Sequence, residues 1–424
     1  MLIRSAALLL AGVLACLAQD AAGDTERDRA RAARELGKGG AEGIPQLAAM
    51  LTDTSEEARI EAVRAIVGIG TQHSLDPLIT ATRDNSPEVQ VTATDGIVNF
   101  YLPGYVQSGT RRVLSSVRGR FDRENTQVIE PWITVRPEAI AALGRLVRGG
   151  VSMDARANAA RAIGILRGRS AVSDLTAALQ TKDDNVIFES LIALQKIGDP
   201  AAGPNVVFLV RDLNERVQVA AIDAAGLLKA KEAVSHLHGV FDNSRSDRVR
   251  RSALTALSMI GDPASQAWFT KAANDRNDQV RASAFEGFAR LQLAANRQQL
   301  ETAFNEEKKM APRLAAAFAL SAMGNREVTE MAPLRSLANA LNSRGWRGVA
   351  QPYLVELSRD PQTRAALLTM LPTGTRDEKT GLLSVLAATG DAASAAAADK
   401  LTKDADSEVA QAAIRTVRTI RSRQ

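Results

Sequence analysis

Few residues of this 424-residue chain are suited to chemistry. There are three histidines, His73, His236 and His238, and one cysteine, Cys16. Nucleophilic catalysis needs a serine or cysteine held close to a histidine and an acid. His73 lies far in the sequence from His236 and His238, and Cys16 lies in an apolar N-terminal run. His236 and His238 form an H-x-H pair on an expected helix. Positions i and i+2 do not share a helical face, so a zinc ion there would need ligands from elsewhere. No G-x-x-x-x-G-K-[ST] phosphate loop occurs, and the glycines between Gly37 and Gly43 fall at expected helix ends. We therefore expect no catalytic set, no metal site and no cofactor.

The residues suited to recognition are more informative. Phe100, Tyr101, Tyr105, Phe121 and Trp132 are five of the chain's 16 aromatics, gathered within 36 residues. Arg111, Arg112, Arg118, Arg120 and Arg123 share that stretch. Tyr, Trp and Arg are enriched at binding hot spots. A second zone holds Arg344, Trp346, Arg347 and Tyr353. Two readings fit both zones. One is a partner-binding site built from Tyr101, Tyr105, Arg111, Arg112, Phe121, Trp132, Arg344, Trp346 and Tyr353. The other is a distorted helix pair whose large side chains fill a gap left by lost periodicity. The net charge of +5 is small, and both signs are spread along the chain. A nucleic-acid binder would gather its basic residues on one face, so nucleic acid is not an expected partner. Arg415, Arg418, Arg421 and Arg423 make the tail basic, which reads as a solvated capping face or as a contact for an acidic envelope surface.

What positions these residues begins after a leader. Met1–Arg4 is short and basic, and Ser5–Leu17 is apolar but too short to span a bilayer comfortably. Small residues and a polar Gln19-Asp20 follow, as in a secretory signal peptide over residues 1–18. Two processing routes fit: plain cleavage after Ala18, or a lipoprotein signal ending before Cys16, with lipidation of Cys16 as the only route to a membrane. Val13-Leu14-Ala15-Cys16 resembles the bacterial lipoprotein box, with Leu14 a poor fit to its usual small residue. The expected location is exported: periplasmic or envelope-anchored.

The rest follows a period of about 31 residues. Ile197-Gly-Asp-Pro-Ala201 recurs 63 residues on as Ile260-Gly-Asp-Pro-Ala264. A second marker, the pair opening an apolar helix, falls at Ala58, Val89, Ala155, Val186, Val217, Val249 and Val280, in steps of 31, 66, 31, 31, 32 and 31. The long step reads as two periods with a degenerate unit between. Each period carries two helical patterns joined by a polar turn with Asp. Gly closes the second helix, and Pro stops it. One such pair cannot bury its own apolar face, but stacked pairs can. The expectation is all-α: an α-solenoid of about twelve stacked helix pairs. This architecture also explains why Ala and Leu dominate and aromatics make only 4%.

Helix, Asp-containing turn, Val-Arg, Ala-rich helix and Ile-Gly resembles the HEAT repeat, in the short variant also found in phycobilin lyases. The resemblance covers almost all of the chain past the leader. It implies a structural ladder between turn Asp and following Arg residues. Asp53, Arg59, Asp84, Asp242, Arg250, Asp275 and Arg281 match those positions, as do Asp212 and Asp404, while Val186-Ile187, Val217-Gln218 and Val409-Ala410 lack the Arg. Deoxyhypusine hydroxylase, an enzyme of HEAT type, holds two irons with His-Glu pairs. Here Ser74, Leu237 and Gly239 follow the histidines.

The expected organisation is a cap and repeats over 19–103, a degenerate aromatic and Arg-rich unit over 104–135, regular repeats over 136–325, and degenerate repeats with a basic cap over 326–424. The expected function is a non-enzymatic interaction scaffold that binds a protein or peptide partner in the bacterial cell envelope. The competing expectation is an enzyme or enzyme-accessory protein of phycobilin-lyase-like or oxidoreductase type.

Overall fold

A computed structural model describes residues 25–106 and 125–423. Cys16, Arg111, Arg112 and Phe121 lie outside them. The described residues form 23 α-helices and no strand. In chain order, α1–α9 are Glu26–Lys38, Ile44–Met50, Glu56–Ile69, Leu75–Ala81, Pro87–Tyr101, Pro137–Gly149, Met153–Ile165, Val172–Ala178 and Asp184–Ile197. Next come α10–α17: Gly203–Val206, Glu215–Leu227, Val234–Asn243, Asp247–Ile260, Gln266–Ala272, Asp278–Arg290, Arg297–Glu306 and Met310–Ala322. The last six, α18–α23, are Pro333–Asn339, Arg347–Leu357, Pro361–Met370, Arg376–Thr389, Ala392–Asp399 and Ser407–Arg421.

The chain divides into two compact units. One comprises residues up to 129 together with 135–197, the other 130–134 together with 198 onward. Within each, the longer odd-numbered helices stack on one another, α1 to α9 in the first and α11 to α23 in the second. The even-numbered helices are mostly shorter. Each unit is thus an α-solenoid of stacked helix pairs.

The repeated residues account for the repeated geometry. Gly198 and Gly261 both sit at φ 67°, the left-handed conformation that ends a helix. Arg167, Lys229 and Gln292 occupy the same repeat position, at φ 50°, 54° and 53°, without the freedom glycine has. Asp262 then accepts from the Ala264 N–H at 2.9 Å, and Asp199 from Ala201 at 3.1 Å. Each starts a short 3-10 turn with Pro at its first position. Inside each pair, Asp53, Asp84 and Asp275 accept from the N–H two residues on, at 2.7, 2.7 and 2.8 Å. The next residues, Ser55, Ser86 and Asn277, cap the long helix.

The core is built from small and mid-sized apolar groups. Leu47, Ile66, Ile97, Leu143, Leu254 and Leu314 are buried among layers of alanine. Truncating one such leucine to alanine costs about 2–5 kcal/mol. Where the long helices approach most closely, only glycine fits: a Cβ on Gly164 would meet the Ala193 Cα at 2.8 Å, and one on Gly226 the Ala256 Cα at 2.8 Å.

One expectation is corrected. Among the described residues the 66-residue step adds no helix pair between α5 and α7, which pack directly on each other. Asn158 on α7 donates to Asp95 on α5 at 3.0 Å, and the Val151 N–H donates to the Gln90 side chain at 3.1 Å. The extra residues lie in the sequence between α5 and α6. A sequence period counts residues, whereas stacking is decided by which faces meet.

Candidate partner-binding surfaces

The charge ladder is built from one side chain acting in two directions. Arg59 donates to the Asp53 carbonyl six residues back at 2.9 Å, which ties its helix to the preceding turn. It also pairs with Asp84 of the next repeat through two hydrogen bonds, at 2.7 and 3.1 Å. Both side chains are nearly enclosed, and Asp84 holds the guanidinium above its ordinary pKa. Asp53 accepts in turn from Arg29. Arg250 reaches Asp275 at 3.7 Å, and Arg281 pairs with Glu307 at 2.8 Å while binding the Asp275 carbonyl. Lys379 and Asp404 make a further rung at 3.0 Å. Asp242 instead accepts from the Trp268 indole at 3.0 Å and pairs with Lys271.

The aromatic residues separate into inside and outside groups. Tyr101 is buried, and its hydroxyl accepts from the Arg136 N–H at 3.0 Å. Tyr353 is also buried. Neither presents its ring to a partner in this arrangement. Tyr105, Trp132 and Trp346 are half-buried, and Arg344 is exposed. Trp132 packs beneath the Arg418 guanidinium, 5.1 Å from the ring centre. Trp268 was not singled out by sequence reasoning. Its ring stacks on His238 at 3.5 Å and 3°, and His238 Nε2 meets Ser265 at 3.0 Å. Burial holds that imidazole below its ordinary pKa, against Asp242 and Asp262. Trp268 had a signal: the same repeat position elsewhere holds Asp174, Asn205, His236 and Gln299. Among the described residues no group of three or more His, Cys, Asp or Glu is placed to hold a metal ion.

A cleft of about 400 Å³ opens in the second unit. It runs over the C-terminal ends of α13, α15 and α17 to the end of α19. Arg290 at its centre is largely enclosed. Its guanidinium donates to both Glu356 oxygens at 2.9 and 2.8 Å and to Glu286 at 3.1 Å. Although burial opposes the charge, these two acids hold Arg290 above its ordinary pKa. The Tyr353 hydroxyl donates to Glu286, and its ring stacks on Phe318 at 4.6 Å. Burial, and then the Glu286 charge, push Tyr353 well above its ordinary range. Arg290 and Tyr353 both keep their protons near neutral pH. Arg326 pairs with Asp360 at 2.9 Å on one side of the cleft, and Lys229 is exposed on its lining. The buried Ser321 Oγ has no hydrogen-bond partner among the described residues. An unmet buried hydroxyl costs about 1–3 kcal/mol.

A family profile of HEAT repeats matches residues 11–101, 140–212 and 203–289, more than half of the chain. The chain belongs to the HEAT-repeat family. No curated protein matches it. Among solved structures, an engineered protein is 16% identical, with 89% of this chain and 98% of that one covered and a TM-score of 0.36. The CpcE–CpcF complex of phycocyanin lyase from Nostoc is 16% identical over 61% of this chain and 90% of that one, with a TM-score of 0.37. Human deoxyhypusine hydroxylase in complex with glycerol is 17% identical over 67% and 96%, with a TM-score of 0.27. Family membership establishes a helical repeat scaffold and leaves chemistry open.

Proposed function

We propose that this HEAT-repeat protein is an interaction scaffold of the bacterial cell envelope that binds a protein or peptide partner and does no chemistry of its own. The observation that supports it best is the cleft over the ends of the stacked long helices. Arg290 with Glu356 and Arg326 with Asp360 are locked in pairs, the central Arg and Tyr keep their protons, and the wall carries the exposed Lys229 ammonium. Such a surface is suited to recognition by hydrogen bonds and shape. Half-buried Trp132 and Trp346 with exposed Arg344 provide further contact residues in the same unit. Export rests on the N-terminal leader pattern, and a membrane link rests on lipidation of Cys16.

Crosslinking in the native host followed by mass spectrometry tests this reading. Wild-type chain is expected to capture one or a few envelope proteins, and a Lys229→Glu, Arg326→Glu variant to lose them. Capture of the same proteins by the folded variant would move the site away from the cleft. Stoichiometric iron or zinc in the purified protein would overturn the scaffold reading itself.

A further inference from the structure

Between α5 and α6 in the sequence lies a short non-helical stretch hydrogen-bonded to helix ends. Residues 125–129 (Asn-Thr-Gln-Val-Ile) belong to no helix and lie over the C-terminal ends of α7 and α9. The Ile129 N–H donates to the Ile165 carbonyl at 2.9 Å. Lys196 donates to the Gln127 carbonyl at 2.9 Å and to the Asn125 side-chain oxygen. The Asn125 amide nitrogen donates to Glu189 at 2.8 Å. Ile129 is buried, while Thr126 and Gln127 stay exposed.

The receiving groups are repeat features. Ile165 and Lys196 hold the same position of successive long helices, 31 residues apart. Helix C-termini present carbonyls without intrahelical donors, and cations are favoured there. They can therefore accept a main-chain N–H and place a Lys to meet a main-chain carbonyl. Two of the four hydrogen bonds read only the backbone of the strap. Selectivity rests on Asn125, whose carboxamide donates to an acid and accepts from a base, and on the buried Ile129.

We infer that the α7–α9 surface is a docking site for an extended peptide of a protein partner carrying Asn-x-x-x-Ile, and that residues 125–129 occupy it as a displaceable ligand in cis. The inference rests on the scaffold reading and adds the kind of partner element recognised. The burial that lowers the Lys196 pKa accompanies its two hydrogen bonds to the strap. A tethered segment competes at high effective concentration, so a free peptide binds measurably only when the strap is released.

The test uses the full chain and a fluorescein-labelled peptide Asn-Thr-Gln-Val-Ile-Glu-Pro, read by anisotropy. An Asn125→Ala, Ile129→Ser variant is expected to bind it at least tenfold more tightly than wild type, and adding Lys196→Met to abolish binding. A folded release variant that binds no better than wild type overturns the inference. Hydrogen exchange on unmodified protein decides the matter even if the variant does not fold. Amides of 125–129 are expected to exchange at least a hundredfold faster than those of α7 and α9, and equal protection would make the strap a fixed structural part. Failure here with capture at the cleft intact would sink the docking site alone. Loss of partner capture altogether would sink the scaffold reading.

Discussion

Arg290 and Glu356 lie 66 positions apart, yet their side chains form a two-pronged ion pair, with N–O distances of 2.9 and 2.8 Å. The pair spans the alanine-rich α17, whose small side chains leave the space that becomes the cleft. Glu286 and the Tyr353 hydroxyl complete the cluster. Arg290→Met leaves two acids without their cation and is expected to destabilise the second unit by about 3–5 kcal/mol. Glu356→Gln, at the more exposed prong, is expected to cost no more than about 1 kcal/mol. Urea unfolding followed by hydrogen exchange within the second unit checks both. Equal effects would show that the cluster is not organised around the arginine.

The ladder makes a contrasting prediction for the first unit. Arg59 and Asp84 are nearly enclosed, with side-chain exposures of 11% and 7%, whereas Lys38 and Glu35 are at 72% and 58%. Arg59→Met removes the ion pair and the hydrogen bond to the Asp53 carbonyl in the turn, and is expected to cost about 2–4 kcal/mol. Lys38→Met should change stability by less than about 0.5 kcal/mol. Chemical denaturation of the two variants side by side separates these cases.

Glycine positions give effects of opposite sign. In a helix interior Ala is preferred to Gly by about 1 kcal/mol. At Gly164 a Cβ would press on the Ala193 backbone at 2.8 Å, so Gly164→Ala is expected to destabilise by about 1–3 kcal/mol despite that preference. Arg167 holds a left-handed conformation that costs an L-residue about 1–2 kcal/mol, partly offset by the greater chain entropy of glycine. Arg167→Gly should therefore stabilise by a few tenths to about 1 kcal/mol. Thermal unfolding midpoints moving in opposite directions would bear out both arguments.

Lys196 predicts a pH dependence. Burial lowers its pKa from 10.5 to about 8, with Glu189 opposing and Arg161 reinforcing the shift. Between these values the unfolded chain holds the proton and the folded chain does not, so stability rises with pH over that window. Below about pH 8 both states are protonated, and the cost of burying the charge is fully present. The stability difference between wild type and Lys196→Met is expected to shift in favour of wild type from pH 8 to pH 10.5. A difference that stays flat across that window would show Lys196 to be fully hydrated.

Much of the fold follows from the chain's own pattern. The 31-residue spacing, the Asp-containing turns and the Ile-Gly-Asp-Pro-Ala repeats specify helix starts, stops and caps, because each acts through hydrogen bonds within a few residues. Ladder partners such as Arg59 and Asp84 were legible for the same reason, being fixed by the period. Tertiary packing decided what spacing cannot encode. It set α5 directly on α7 and laid residues 125–129 across α7 and α9. It also turned Tyr101 and Tyr353 inward, gave Asp242 to Trp268, and joined Arg290 to Glu356 across α17. The physical reason is one of range: local hydrogen bonds define each helix pair, while the faces left open after stacking decide where an insertion lies and which charges meet.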